Sequence, residues 1–237
     1  MSTVAVVDDQ GYFESYTDIG GGRYRGENSV DRVIDAVNEG TVAWRLRMPD
    51  GELREFDANG LLLGIRNPNS PQNDVLLGYT NELLTTVTDA QGRQLKFEYA
   101  NNLLARIVKP DGATVSYGYD TDLNLTTVNY DGGMIKRYRY HETGLVDSKF
   151  IHHLTGISSE DGQRFATFAY DIKGRVVSSK THGTPNEVTT ATYPNDTQAT
   201  IVSANGASRL YTFDTDLYRH ATATSDPAGD TSVVLRN

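Results

Sequence analysis

The chain has no cysteine among its 237 residues, so neither a disulfide framework nor a thiolate metal site is available to it. Stability has to come from packing and backbone pairing. No apolar run approaches the length of about 18 residues that a membrane-spanning helix needs, and membrane insertion is not expected. The first 30 residues lack a basic start followed by an apolar stretch, so this segment carries no conventional export signal and reads equally well as an internal piece of something larger. Basic residues are also short in supply. Lys and Arg number 22 against 31 Asp and Glu, for a net charge of -9 and a pI near 5.0. They are scattered, whereas phosphate backbones and anionic membrane surfaces call for clusters, which argues against a nucleic-acid partner. Trp44 is the single tryptophan, beside 14 tyrosines and 7 phenylalanines, an aromatic set that suits strands.

What the chain has in quantity is a repeat. Asp50-Gly51 leads to Phe56, Asp111-Gly112 to Tyr119, Asp131-Gly132 to Tyr140, Asp161-Gly162 to Tyr170 and Asn205-Gly206 to Phe213, and the longer variant Asp89-Ala90-Gln91-Gly92 leads to Tyr99. With Tyr79 and Tyr193, these aromatic anchors stand 20 to 23 residues apart, except for the 30 residues from Tyr140 to Tyr170. Such a period marks an array of small units that bury their apolar faces by stacking on neighbours. At this length one extended repeat domain is the simplest count.

Between the turn markers the pattern is that of strands. Leu95, Phe97 and Tyr99 alternate with Gln94, Lys96 and Glu98, and Val115, Tyr117 and Tyr119 alternate with Ser116 and Gly118. Period two over six or so residues predicts half-buried β-strands of roughly 20 Å. Asp-Gly between two such runs predicts a tight hairpin of the primed type, in which positive φ is needed. A second turn follows each aromatic, as in Tyr170-Asp171-Ile172-Lys173-Gly174 and Phe56-Asp57-Ala58-Asn59-Gly60, with Asp bonding its own downstream backbone. After Tyr79 and Tyr99 the glycine is missing, and Asn81 and Asn101-Asn102 are expected to supply a shorter turn.

Tyr119-Asp120, Tyr170-Asp171-Ile172-Lys173-Gly174-Arg175, Pro110-Asp111-Gly112 and Pro49-Asp50-Gly51 resemble the YD or RHS repeat of bacterial rearrangement-hotspot proteins, insecticidal toxin-complex components and teneurins. The resemblance covers roughly residues 42 to 230 and is most specific around Tyr170. It implies an all-β fold of tandem hairpins in one continuous, curved antiparallel sheet, part of a shell. Residues 1–41 form a Gly- and Asp-rich N-terminal segment and 42–237 the repeat domain. Within the former, Asn28 or Ser29 followed by Val30, Val33, Ile34 and Val37, with Gly40 to end it, predicts a short helix over 29–38.

Several constellations invite a chemical reading. Gly20-Gly21-Gly22-Arg23 lacks the strand-loop-helix frame of a phosphate loop and reads as a turn. Asp120-x-Asp122-x-Asn124, with Asp131 twelfth, resembles the front of a calcium loop, but Leu125 stands where Gly is needed; Asp214-x-Asp216 offers only Tyr218 and Ser225. Both read as turn aspartates. His152-His153 falls in the long gap, where adjacent strand residues point apart and share no metal; one exposed and one buried histidine in an elongated hairpin is the expectation. His141, His182 and His220 have no sequence partner. No serine lies in a nucleophile elbow, and no carboxylate pair is singled out by a pocket. The expected sets of catalytic, metal and cofactor residues are therefore empty.

In the family resembled, such hairpins spiral into a hollow shell around a toxic polypeptide, and an Asp-Pro-x-Gly motif precedes the variable toxic C-terminus. Asp226-Pro227-Ala228-Gly229 matches superficially but reads as a repeat turn. The resemblance implies a non-catalytic shell segment with adjacent repeats or a neighbouring chain and a toxin polypeptide as partners, secreted or delivered by a bacterial secretion system. The alternative is a surface adhesion or carbohydrate-binding module using exposed rings. A glycosidase with paired acids is the third class. Thr231 to Leu235 is expected to be an edge strand, open to a partner.

Overall fold

The computed structural model describes residues 3–7, 11, 13–28, 31–183, 187–214, 221–229 and 231–233. The chain forms two compact units, Met1–Thr114 and Val115–Asn237. The first contains strands β1 (Thr3–Val7), β2 (Phe13–Gly20), β3 (Arg23–Gly26), β4 (Val33–Glu39), β5 (Val42–Arg47), β6 (Leu53–Phe56), β7 (Leu62–Arg66), β8 (Val75–Thr80), β9 (Leu83–Asp89), β10 (Gln94–Ala100) and β11 (Leu103–Val108), plus one 3-10 turn, Pro71–Asn73. Each strand pairs antiparallel with the next. The second holds β12 (Thr114–Tyr119), β13 (Leu125–Tyr130), β14 (Ile135–Tyr140), β15 (Leu154–Ser158), β16 (Arg164–Tyr170), β17 (Val176–Thr181), β18 (Glu187–Asn195), β19 (Gln198–Val202), β20 (Ser208–Phe213), β21 (Ala221–Ser225) and β22 (Thr231–Val233). These pair in chain order too.

The helix expected over 29–38 is a strand. β4 occupies Val33–Glu39 and pairs with β3 on one side and β5 on the other, while Ser29 and Val30 lie outside the described residues. Val33, Ile34 and Val37 are β-branched, stiff at χ1 and better accommodated on a pleated surface. Ile34 is buried opposite Tyr24 and Leu46. Gly40, at φ 65°, closes the two-residue loop between Glu39 and Val42 instead of ending a helix.

Turn chemistry also differs from the expectation. At Asp131-Gly132-Gly133 both glycines have positive φ, 89° and 85°, whereas at the other Asp-Gly sites the glycine alone does: 90° at Gly51, 87° at Gly112, 85° at Gly162. Its N–H bonds the carbonyl three residues back, as Gly112 does to Lys109 at 2.9 Å, and the aspartate side chain accepts the N–H two residues on, as Asp111 does from Ala113 at 3.0 Å. This is a β-turn followed by a left-handed glycine, the three-residue hairpin loop with a glycine bulge. The primed geometry, with two consecutive positive φ values, sits at the asparagine sites instead. Asn81 and Glu82 have φ 51° and 64°, Asn101 and Asn102 51° and 61°, between the cross-strand pairs Thr80–Leu83 and Ala100–Leu103.

A β-bulge faces seven of the eight aromatic anchors, and at Tyr193 the extra residue lies in the anchor's own strand. The register slips by one residue between Glu55 and Phe56, Gly78 and Tyr79, Glu98 and Tyr99, Gly118 and Tyr119, Arg139 and Tyr140, Ala169 and Tyr170, and Thr212 and Phe213. The extra residue sits in the partner strand each time. Bulges bend a strand and increase its local twist, so each of these seven repeats carries its own local bend.

In the first unit Tyr16, Ile34 and Leu46 are buried, with Val4, Val6, Tyr24, Trp44, Met48 and Phe56 packed around them. In the second the buried apolar side chains are Val128, Ala166 and Ala199, among the described residues. A single layer of sheet cannot cover its own apolar face, and most of the aromatic anchors stay half-buried.

Candidate functional surface

Four of the anchor tyrosines do more than fill space. The Tyr79 hydroxyl donates to the Leu62 carbonyl at 2.9 Å, Tyr99 to Leu84 at 2.9 Å, Tyr170 to Leu154 at 2.6 Å and Tyr193 to Val176 at 2.8 Å. The acceptor lies 15 to 17 residues back, so the ring reaches across its neighbour to tie one repeat to the one before. Burial pushes the hydroxyls of Tyr79, Tyr170 and Tyr193 above their ordinary pKa, which keeps them protonated and donating. The aspartate that follows closes the turn. Asp171 Oδ1 accepts from the N–H of Lys173 and of Arg175, both at 2.9 Å, and Oδ2 from Arg175 Nε at 2.7 Å.

The same saturation describes the calcium-like triplet. Asp120 Oδ1 accepts from the N–H of Asp122 at 3.0 Å and of Asn124 at 2.8 Å, and Oδ2 from Asn124 Nδ2 at 3.0 Å. Asn124 reaches on to the Ile151 carbonyl and the His152 ring. Among the described residues no three His, Asp or Glu side chains converge. Of the second triplet, Asp216 and Tyr218 lie outside the described residues. Gly20-Gly21-Gly22 turns β2 into β3, and Arg23 faces Asp35 at 3.1 Å. Asp226-Pro227-Ala228-Gly229 is the turn joining β21 to β22, closed by Gly229 N–H to the Asp226 carbonyl at 3.0 Å. β22 pairs with β21, and Val234 and Leu235 of the expected edge strand are outside the described residues.

The long gap holds a folded connection rather than an elongated hairpin. Residues 141–153 join β14 to β15 at the sheet end that also carries turns 120–124 and 171–175. His152 is exposed and bonds Asn124 Oδ1 through Nδ1 at 2.7 Å. His153 is half-buried, its ring 4.5 Å from Phe150 and 4.7 Å from Tyr170, with Nε2 3.1 Å from the Gly174 carbonyl. Since a carbonyl only accepts, Nε2 carries the proton. Each histidine thus pins the connection to a flanking turn. His182 bonds Thr167 at 2.8 Å; His220 lies outside the described residues.

The sheet face opposite the rings is polar. In the first unit an ion-pair ladder runs Glu39–Arg45–Glu55–Arg66–Asp74, with contacts of 2.7, 2.9, 3.2 and 3.3 Å. Its bond to Arg45 holds the Glu39 carboxyl below the ordinary range. In the second, Glu142 grips the Arg164 guanidinium with both oxygens at 2.8 and 2.7 Å, and buried Thr155 donates to Glu142 at 2.8 Å. Arg164 also reaches Thr167 and the Thr155 carbonyl, lying where a side chain on Gly156 would be. These groups satisfy one another. The sequence pattern did not disclose this network, the bulges or the tyrosine bonds, although the even spacing of the anchors was their trace. A groove of about 630 Å³ opens beside Lys173, Arg175, Tyr193, Asp196, Gln198 and Phe213, with the Arg175 guanidinium 4.1 Å above the Tyr193 ring.

The geometry defines a class: a tandem β-hairpin repeat in which one aromatic ties successive units and one aspartate closes each turn. The sequence model of the RHS Repeat family matches residues 79–114. Those residues match an RHS repeat, and the anchor, bulge and turns found there recur before and after them in the chain. No curated protein matches the chain. Among solved structures, it is similar to the TcdB2-TccC3-Cdc42 crystal structure at 10% identity and TM-score 0.44, over 98% of this chain and 15% of that one. It is similar to TcdB2-TccC3 without its hypervariable C-terminal region at 11% identity and TM-score 0.39, over 98% and 14%. The Tc holotoxin pore of Photorhabdus luminescens follows at 9% identity and TM-score 0.34, over 94% and 17%. The chain thus spans 14 to 17% of the length of these structures' chains.

Proposed function

We propose that the chain is a non-catalytic segment of an RHS-type shell that encloses a polypeptide of the polymorphic-toxin kind, secreted or delivered by a bacterial secretion system. Residues 42–237 are its repeat domain, and residues 1–41 lead into it. The observation that carries this reading is the bulge that recurs opposite successive anchors, while the polar groups of turns and faces are bonded to one another. Such a surface holds a guest by enclosure and needs no reacting group. Its partners are adjacent repeats or a neighbouring chain, and the enclosed polypeptide. The test is the protease sensitivity of a passenger expressed with and without the complete shell. Protection only in its presence supports enclosure, and equal sensitivity rejects it.

One observation favours the carbohydrate-binding alternative: the groove at Tyr193 and Phe213 sets aromatic rings beside planar polar groups. A glycan-array signal abolished by Tyr193→Ala would support it.

A further inference from the structure

Turn tips are normally polar, yet one end of the second unit's hairpins presents large aliphatic side chains. Leu123 in turn 120–124 is 66% exposed, Ile151 in the 141–153 connection 37% and Ile172 in turn 171–175 76%. They are held side by side. Asn124 Nδ2 donates to the Ile151 carbonyl at 3.2 Å, and Lys149 Nζ to the Ile172 carbonyl at 2.8 Å. Lys149 also lies 4.8 Å from the centre of the Phe150 ring, and among the described residues no carboxylate forms an ion pair with it.

Leu123 strengthens the point. Its φ is 65°, at the turn position where Gly60 and Gly174 stand at 88° and 79°. A left-handed leucine costs roughly 1 to 2 kcal/mol. A residue held against its local preference, with its side chain in solvent, points to a use outside the turn.

The opposite end of the same hairpins carries the complement. Turn 130–134 exposes Asp131 beside Met134, which is 54% exposed, and turn 159–163 exposes Glu160 and Asp161. One end thus presents three aliphatic side chains around the Lys149 ammonium, with Asp122 exposed beside Leu123, and the other presents Met134 among carboxylates.

We propose that the Leu123–Ile151–Ile172 rim docks the acidic rim, Asp131–Met134 with Glu160, of a second copy of this chain, Lys149 meeting the carboxylates. The contact is heterologous, so copies add head to tail. The inference rests on the hairpin-strip reading and extends it from strand pairing to contact between turn rims.

Sedimentation velocity on the full chain tests it. Wild type should sediment faster as concentration rises, and a Lys149→Glu/Ile172→Asn variant should remain monomeric over the same range. An Asp131→Lys/Glu160→Lys variant should also remain monomeric alone. Mixed with the first variant it should associate, because the first keeps its acidic rim and the second its apolar rim. Both variants change exposed side chains, and unchanged circular dichroism would confirm their folding. Leu123→Gly, which relieves the backbone, should weaken association while leaving the fold at least as stable. A strictly monomeric wild type, variants that associate like wild type through strand edges, or a mixture that stays monomeric would each overturn the proposal. None of these results bears on passenger protection, so the enclosure reading stands or falls separately.

Discussion

Replacing Gly118 by alanine should destabilise the protein, although its φ is outside the left-handed region and alanine is the better strand residue. Gly118 sits at the bulge before Tyr119, directly opposite Thr127, and its carbonyl accepts the Thr126 hydroxyl at 3.1 Å. A β-carbon there would fall well inside contact distance of Thr127 Oγ1. Reduced freedom of the unfolded chain favours alanine by roughly 0.4 to 1 kcal/mol. Forcing Thr127 aside in a packed cross-strand pair costs about 1 to 3 kcal/mol. The net expectation is a loss of about 1 kcal/mol, and in a Thr127→Ala background the same change should become neutral or stabilising. The coupling energy, read from urea unfolding of wild type, both singles and the double, should be about 2 kcal/mol, within the range for residues in contact. Gly78 and Thr86 repeat the arrangement in the first unit and should repeat the result. Additivity within about 0.5 kcal/mol at both sites would refute the claim that the glycine is set by its cross-strand threonine.

Tyr170→Phe keeps the ring and removes the bond to Leu154; a loss of about 1 kcal/mol, or roughly 2 to 4 °C in Tm, is expected by calorimetry, whereas Tyr138→Phe, which breaks no bond among the described residues, should change little. The Glu142 carboxyl is held below its ordinary value of 4.5 chiefly by its bond to Arg164. Because the folded pKa is the depressed one, its contribution is fully present above about 4.5 and fades as pH falls through the lowered value. The stability difference between wild type and Glu142→Gln should therefore shrink in acid, and a pH-independent difference would contradict the ion-pair account.

The period of Asp-Gly and aromatic residues made the strands, their order and the turns legible, because alternation and glycine placement are local properties. Turn type was less so. Asp-Gly fits both the primed turn and the bulged loop, and strand register, set by the partner strand, decides between them. Val33, Ile34 and Val37 satisfy helical spacing and strand propensity alike, and the long-range pairing of β4 with β3 and β5 chose the strand. The bulges leave no mark in the sequence, since the extra residue, Leu63, Thr85 or Thr126, has no type of its own. Asp120 and Asp171 stand where the repeat calls for turn closers, and their bonds have that form. The Glu142–Arg164 pair joins residues 22 apart, and no periodic rule links them.

Enclosure is tested most directly by the protease half-life of a passenger inside the complete shell, compared with the same shell lacking residues 79–114, the stretch matching the RHS repeat. The account predicts a protected passenger in the intact shell and rapid cleavage once that hairpin run is removed. A passenger cleaved equally fast in both would contradict it.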